Sequence, residues 1–445
     1  MDRIKGIWMK KLRLFSLAWP IFIETALFML LGFVDVFVLS KYNDLAASAV
    51  NTANQAVSIV TIVFTVISGA SAVLISQYLG AHKRESASRI AALSMFSNFV
   101  CGIIVSVLLV VFSKGLLQFI GAKDTLLDFA SEYLKIVGGF LFLQAVLSSM
   151  SVIVRNHGLT KISMYVTVSM NIMNTVLDII LVPKYGVVGV AAATTFSRVI
   201  GTIVLAIMMF RKVESINIFK FLKPFPWKDT KDIIRIGVPS ALESFLYNLS
   251  QLVITAMVLK CLTDNELIAK TYVQNITMFF YIFAVAIGQA SQIIIGHLVG
   301  ANKMDEAYRR GMRAYLYSMI ITFVACALGV AFRVPLMDIF TDSKEVIMIG
   351  ANILLIDFFL EHGRTTNIVV IANLRGAGDV YFPTICAIFS MWIISVLGAY
   401  LLAVVFNMGI YGLWIALMAD EVLRGVLMII RFKGSKWRTK RVVKN

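Results

Sequence analysis

The sequence predicts an all-α integral membrane protein with twelve transmembrane helices in two pseudo-symmetric six-helix bundles. Hydrophobic residues make up 59% of the 445 residues, whereas soluble domains are about 45–50% apolar. The apolar runs are long enough to cross a bilayer as helices, which takes roughly 20 residues each. They also lack the two-residue alternation of a membrane β-barrel. Motifs of the first half return in the second half, which predicts two copies of one bundle.

We number the twelve apolar segments 1 to 12 in chain order. Segments 1 to 6 lie at about 14–39, 48–78, 89–112, 127–153, 162–182 and 187–210. Segments 7 to 12 lie at about 232–259, 269–298, 309–332, 346–372, 383–406 and 409–430. Several segments are longer than the bilayer requires, so we expect them to tilt or to have an unwound end.

The internal repeat has a spacing of about 220 residues. The matched motifs are Pro20-x3-Glu24 with Pro239-x3-Glu243, Gly80-Ala81-x-Lys83 with Gly300-Ala301-x-Lys303, and Arg155-x-x-Gly158 with Arg375-x-x-Gly378. It predicts an N-terminal lobe at 1–210, a linker at 211–231, and a C-terminal lobe at 232–445 that ends in a basic tail. Two copies of one membrane bundle are a common plan of secondary transporters, which place the substrate site between the halves.

The positive charge of the chain is unevenly distributed. The net charge is +16, from 41 Lys and Arg against 25 Asp and Glu. Most of the basic residues lie in the two tails and in the loops that follow even-numbered segments, the linker included. This asymmetry predicts cytoplasmic termini and a cytoplasmic linker in a multi-pass protein of the plasma membrane, the inner membrane of a bacterium. We expect the basic tails to contact anionic lipids and no nucleic acid to bind.

The residue types needed for familiar catalytic centres are scattered. The chain has four Cys and four His, without a CxxC, HExxH or GxxxxGK[ST] motif. We therefore predict no enzyme activity and no cofactor. Because the chain has no phosphate-binding loop for ATP, uphill transport would have to use an ion gradient.

Polar residues inside the apolar segments point to a cation site, because burying them in hydrocarbon is costly. Asp35 and Asp178 each lie four residues before the end of a segment, which places both carboxylates about 6 Å below the predicted outer ends. Asn174 lies one turn beneath Asp178, and Thr194 lies about 10 Å into segment 6. Such oxygen atoms suit a sodium ion at Asp35, Asn174 and Asp178, or a shared proton. Taken singly, these residues also fit helix capping or interhelical hydrogen bonding.

The chain resembles the multidrug and toxic compound extrusion (MATE) family of transporters over nearly its whole length. The resemblance is carried by the two Pro-x3-Glu motifs, Gly32-Phe33-Val34-Asp35-Val36-Phe37, Ser76-Gln77-Tyr78-Leu79-Gly80-Ala81, Asn174-x3-Asp178, Gly186-Val187-Val188-Gly189-Val190-Ala191-Ala192-Ala193-Thr194 and Leu374-Arg375-Gly376-Ala377-Gly378-Asp379.

This resemblance implies two six-helix lobes around a V-shaped central cavity. It also implies exchange of external sodium ions or protons for cytosolic, often cationic, amphiphiles. The residues that correspond to the family's first-lobe cation site are Asp35, Asn174, Asp178 and either Thr194 or Thr195.

The second lobe differs from the first, because no acid occupies the position near Ile254 that corresponds to Asp35. Whether this lobe has its own cation site stays open. Glu361 and Arg364 are one turn apart, a spacing at which they can neutralise each other. The candidate substrate or gating residues of the two lobes are Glu24, Glu243, Asn54, Gln55, Gln274, Asn275, Asp357, Glu361 and Arg364.

The sequence favours a monomeric antiporter that exports small organic molecules in exchange for sodium ions or protons. The alternative is a flippase for a lipid-linked oligosaccharide or another amphiphile, which would share the general fold. Such a flippase should carry more basic residues in its cavity, whereas acids dominate among the cavity residues expected from the first half. A membrane-embedded enzyme is the third class, and no catalytic cluster in the sequence supports it.

Overall fold

The computed structural model describes residues 12–121, 123–213, 221 and 223–443. It divides into two compact units, the first ending at Gly237 and the second beginning at Val238. Residues 214–220 and 222 of the predicted linker, and the basic residues before position 12, lie outside the described residues.

Within its described residues, the first unit contains six complete helices and the start of a seventh. The helices are α1 Leu14–Ser40, α2 Asp44–Gly80, α3 Arg84–Ile120, α4 Asp124–Gly139, α5 Leu141–Asn156, α6 Thr160–Lys212 and the start of α7 Trp227–Cys261. Helices α4 and α5 meet at an angle of 47° and together form one broken span, the predicted segment 4.

Helix α6 contains two predicted segments joined by a sharp break. Gly186, with φ 54° and ψ −124°, interrupts the helical backbone between them. A left-handed φ of this kind is favourable only for glycine. A Cβ added at Gly189 would lie 2.7 Å from the carbonyl oxygen of Leu181. These glycines therefore let the chain reverse and let the start of segment 6 pack closely against the end of segment 5.

The second unit holds the remainder of α7 and the other helices. They are α8 Asp264–Gly300, α9 Met304–Ala331, α10 Arg333–Asp338, α11 Lys344–Ala377, α12 Tyr381–Val405 and α13 Gly409–Lys433, followed by the 3₁₀ helix Lys436–Thr439. Within α12, the stretches Met391–Val396 and Tyr400–Val405 are π-helical. The sequence analysis did not predict these stretches.

The described helices confirm the predicted all-α membrane fold, because each of the twelve predicted segments is helical. Eight described helices are long and apolar enough to span a membrane, and the α4–α5 pair makes a ninth. The two halves of α6 account for one further span. Helices α7 and α13 correspond to the remaining segments. α7 begins with a charged stretch, and α13 carries Asp420, Glu421 and Arg424.

Each unit has its own apolar core. In the first unit, buried Leu39, Val50, Tyr133 and Val190 join α1, α2, α4 and α6. In the second unit, buried Ile254, Val273, Leu354 and Leu413 join α7, α8, α11 and α13. The first core brings the carboxylate-bearing end of α1 against the break in α6, and this contact positions the candidate site.

Candidate functional site

The structure brings the four predicted cation-site residues together inside the first unit. The side chains of Asp35, Asn174, Asp178 and Thr194 are each at most 2% exposed. The Thr194 hydroxyl donates a hydrogen bond to Asp35 Oδ2 at 3.2 Å. Asn174 Nδ2 in turn donates to Thr194 Oγ1 at 3.4 Å. The chain of contacts therefore links α1 to both halves of α6.

The carboxyl groups of Asp35 and Asp178 face each other within hydrogen-bonding reach. The reversal at Gly186 places them there, since it folds segment 6, with Thr194, back along segment 5. Asn174 and Asp178 lie one turn apart on the same helical face. The site is therefore made from one position on α1 and three on the hairpin within α6.

Several oxygen atoms of this cluster have no hydrogen-bond donor among the described residues. They are Asp35 Oδ1, Asn174 Oδ1 and both carboxylate oxygens of Asp178. Buried acceptors without a donor are costly, and two facing carboxylates repel each other. A small cation would relieve both costs, because its preferred ligands are oxygens, and so would a proton shared between the two carboxyl groups.

The sequence left Thr194 and Thr195 as alternative ligands, and the structure separates them. Of the two hydroxyls, the one of Thr194 donates a hydrogen bond to the Asp35 carboxylate. The Thr195 hydroxyl is buried without a hydrogen-bond partner among the described residues. This difference depends on the position of the Gly186 break, which sets the rotation of the helix that follows.

Two further side chains lie next to the carboxylate pair, and the sequence analysis did not assign them to the site. Tyr133 of α4 is 1% exposed, and its hydroxyl donates to Asn54 Oδ1 of α2 at 3.0 Å. Arg198 follows Thr194 by one turn and interacts electrostatically with Asp35 and Tyr133. In the sequence, the four-residue spacing between Thr194 and Arg198 indicated that the two residues share a helix face. The predicted residue Asn54 is thereby connected to the edge of the site.

The two repeat-related glutamates each form an ion pair within their own unit. Glu24 is buried, and Arg155 approaches its Oε1 at 2.5 Å, while the Ser163 hydroxyl donates to the same oxygen at 2.8 Å. We call Glu24, Arg155 and Ser163 the first clasp.

The second clasp consists of Glu243, Arg375 and Thr384, with a threonine hydroxyl where the first clasp has a serine hydroxyl. Arg375 Nη2 lies 2.7 Å from Glu243 Oε2, and Thr384 Oγ1 donates to that oxygen at 2.9 Å. Both clasps join the arginine of the repeated Arg-x-x-Gly motif to the glutamate of the Pro-x3-Glu motif.

The candidate acids Asp357 and Glu361 of the second unit lie in a group of buried charges that contains its own cations. Trp414 Nε1 donates to Asp357 Oδ1 at 3.1 Å, while Glu361 forms an ion pair with Arg364. The Arg364 guanidinium also lies over the ring of Tyr281, 5.3 Å from its centroid. Arg424 lies 3.0 Å from a Glu421 oxygen, within the same network.

The remaining candidates are separate from these clusters. Gln55, Gln274 and Asn275 have exposed side chains, and no described contact joins them to the carboxylate pair or to the clasps. The position repeat-related to Asp35, Ile254, is buried and belongs to the apolar core. Among the described residues, no three His, Cys, Asp or Glu side chains form a cluster suited to a metal ion. A sodium ion would therefore rely on two carboxylates with an amide and a hydroxyl.

Comparison with known proteins identifies relatives along almost the whole chain. A family model described as MatE matches residues 20–180 and 239–401. The chain is 35% identical to the "Uncharacterized transporter YisQ" of Bacillus subtilis over 96% of its length and 95% of that protein. It is 27% identical to the "Probable multidrug resistance protein NorM" of Thermotoga maritima, covering 97% of this chain and 94% of that one.

Solved structures show the same fold. A Vibrio cholerae MATE transporter, VcmN, crystallised in the bent form, superposes with a TM-score of 0.89 at 18% identity over 98% of both chains. A structure described as the outward-facing conformation of a multidrug resistance MATE family transporter of the MOP superfamily has a TM-score of 0.85 at 21% identity. It covers 96% of this chain and 97% of that one.

Proposed function

Because the chain belongs to the MATE family of multi-pass membrane transporters, we propose that it is a secondary antiporter. It exports small organic compounds, often cationic and amphiphilic, in exchange for sodium ions or protons. The observation that carries this proposal is the pair of facing carboxylates Asp35 and Asp178. Several oxygens around them lack a donor within the described part of the chain.

The substrate class follows from relatives rather than from a described pocket. Several full-length relatives are named as probable multidrug resistance proteins, and this supports export of organic compounds. Antiport needs an ion that binds two conformations with different affinity. An ion held between α1 and the α6 hairpin meets this need, because its ligands come from two helices and a conformation in which these helices are apart would bind it more weakly.

The membrane and its orientation complete the proposal. We place the protein in the plasma membrane with cytoplasmic termini, because basic residues concentrate in the tails and in the even-numbered loops. We also propose that it acts as a monomer. Its partners are the transported small molecules and the surrounding lipids.

Purified protein in lipid vesicles provides the test. Vesicles would receive a sodium gradient or a proton gradient separately, and transport of a cationic dye would be followed by fluorescence. We expect one gradient to drive the wild-type protein. The Asp35→Asn, Asp178→Asn double variant should lose at least about 90% of this driven transport, because the cluster then has no negative charge to attract the ion.

Asp128→Asn is the matched control. Asp128 is an acid of the same unit whose side chain is 72% exposed and pairs with Lys114 at the surface, so this variant should transport at the wild-type rate. Gradient-driven transport at the wild-type rate in the double variant would refute the coupling site. A wild-type protein that moves no dye under either gradient, but moves a lipid-linked oligosaccharide, would favour the flippase.

A further inference from the structure

The segment that follows α13 folds back onto the second unit. It contains the 3₁₀ helix Lys436–Thr439, in which the Trp437 side chain is fully buried. The Trp437 ring stacks on Phe432 of α13 with 5.1 Å between the ring centroids, and its Nε1 donates to the Phe432 carbonyl oxygen at 2.7 Å. Val443 is also buried, at 2% exposure. The basic segment 434–443, which we call the strap, is therefore packed against its own unit.

The strap reaches the ends of two further helices through its arginines. Arg438 Nη1 lies 2.7 Å from Asp305 Oδ1 in the first turn of α9. Arg441 Nη2 donates at 3.0 Å to the carbonyl oxygen of Gly300, the last residue of α8. The last carbonyl groups of a helix have no donor within the helix, so Arg441 satisfies one of them. These helix ends belong to the side of the unit that the charge distribution predicts to be cytoplasmic.

The end of α11 leaves room for the backbone of the strap. Gly378 follows α11 directly and has a φ of 95°. A Cβ added at this position would lie 2.5 Å from the Lys440 carbonyl oxygen and 2.9 Å from Val442 Cγ2. Glycine is therefore needed here twice, for the left-handed turn and for the close approach of the strap.

The turn between α8 and α9, which the strap contacts on both sides, has a matched copy in the first unit. Residues 81–83 and 301–303 belong to the repeated Gly-Ala-x-Lys motif and have the same pattern of three backbone hydrogen bonds. The central residue of each turn is left-handed, with φ 59° at His82 and 61° at Asn302. The first turn is therefore an internal reference for any change that the strap causes at the second.

We propose that the strap, anchored by Trp437, ties the cytoplasmic ends of α8, α9, α11 and α13 together so that they move as one body during transport. In transporters built from repeats, alternating access is largely a movement of one bundle as a rigid body. A connection across the helix ends preserves the packing of the bundle while it moves. This role in transport rests on the proposed function, whereas the contacts of the strap do not.

Hydrogen–deuterium exchange of the purified full-length protein tests the anchor. Trp437→Ala removes the buried ring and its stacking on Phe432, so the backbone amides of 301–303 should exchange about tenfold faster than in the wild type. The amides of 81–83 should keep their wild-type rate, because the described strap contacts all lie in the second unit. Lys436→Gln is the matched control and should leave both turns unchanged, since this side chain is exposed and takes part in none of the described strap contacts.

Arg441→Met is a second variant that keeps the test decisive if Trp437→Ala does not fold. It removes the hydrogen bond to the Gly300 carbonyl oxygen and leaves the Trp437 anchor in place. We expect the amides of 301–303 to exchange about fivefold faster, because a single hydrogen bond of the turn's surroundings is lost. Equal acceleration at 81–83 and 301–303 would indicate a general loss of stability and overturn the inference. Unchanged exchange at 301–303 in both variants would overturn it as well.

Transport in lipid vesicles tests the role of the strap in the proposed cycle. Under the gradient that drives the wild-type protein, Trp437→Ala should move the dye at least about fivefold more slowly, because the conformational step is impaired. Trp437→Phe, which keeps a ring on Phe432, should retain most of the wild-type rate. Wild-type transport by Trp437→Ala, with faster exchange at 301–303, would overturn the role in transport. A wild-type protein that moves no dye under either gradient would overturn the proposed function and this role together, while selective exchange at 301–303 would still uphold the strap contacts.

Discussion

Thr194 is the residue on which the geometry of the candidate site depends, because its hydroxyl contacts two of the other three members. It donates to Asp35 Oδ2 and accepts from Asn174 Nδ2. Its rotation follows from the break at Gly186. The depths of Asp35 and Asp178 could be derived from the sequence, because the rise of a helix is fixed. The choice between Thr194 and Thr195 needed the structure, since one residue turns a helix by about 100°.

Removing the Asn174 side chain should weaken ion-coupled transport less than removing either carboxylate. Asn174→Ala removes one neutral oxygen from the site and one donor to Thr194, while both negative charges remain. We expect a rise of about fivefold to tenfold in the cation concentration for half-maximal transport, with the maximal rate nearly unchanged, because a neutral hydrogen bond or ligand contributes about 1 kcal/mol. Asn171→Ala is the control, since its side chain bonds to the backbone oxygen of Thr167 in its own helix. Complete loss of transport in Asn174→Ala would contradict this ranking.

At the scale of helices, the two clasps show how much of the repeat could be interpreted from the sequence. The repeated Pro-x3-Glu and Arg-x-x-Gly motifs were visible, but the ion pair between them was not, because it joins helices distant in the chain. Glu24 and Glu243 were candidates for substrate binding or gating. Their carboxylates contact arginines of their own unit, and a role in substrate binding or gating stays a prediction. Similarly, the π-helical stretches of α12 shift the helix face without leaving a clear periodic signal.

The first clasp should stabilise its unit more than the second. The side chains of Glu24 and Arg155 are 1% and 15% exposed, whereas those of Glu243 and Arg375 are 17% and 28% exposed. Removing one partner of a buried ion pair costs about 3 kcal/mol or more, and exposure to water reduces such costs. We therefore expect Glu24→Gln to lower the melting temperature of the purified protein more than Glu243→Gln does.

A double variant separates charge from packing in the first clasp. Arg155→Met combined with Glu24→Gln removes both charges, so it should regain part of the stability lost in Glu24→Gln. If the double variant melts lower than both single variants by the sum of their effects, the two side chains are not coupled. A changed substrate range in Glu24→Gln, at unchanged melting temperature, would instead support the substrate-binding interpretation.

At the scale of the whole molecule, sequence reasoning was strongest where bilayer physics leaves few choices. Twelve long apolar segments had to be helices, because unpaired backbone groups are too costly in hydrocarbon. The interruption of α6 at Gly186 falls in the gap that the sequence predicts between segments 5 and 6. The bend between α4 and α5 was not predicted, since it does not change the apolarity of segment 4. Arg198 was visible as a charge inside a segment, but its proximity to Asp35 depends on which helix faces meet. That packing is a property of the folded unit rather than of any one segment.

The proposed orientation in the membrane is tested by labelling from the two sides. Ser215 belongs to the predicted linker and lies outside the described residues, while Asp124 begins α4. The positive-inside distribution predicts that these positions are on opposite sides. Single cysteines would replace each in a background lacking the four native Cys. In intact cells, an impermeant thiol reagent should label position 124 and leave position 215 unmodified until the membrane is opened. Labelling of position 215 in intact cells would reverse the orientation, and the coupling ion would then reach Asp35 from the cytoplasm.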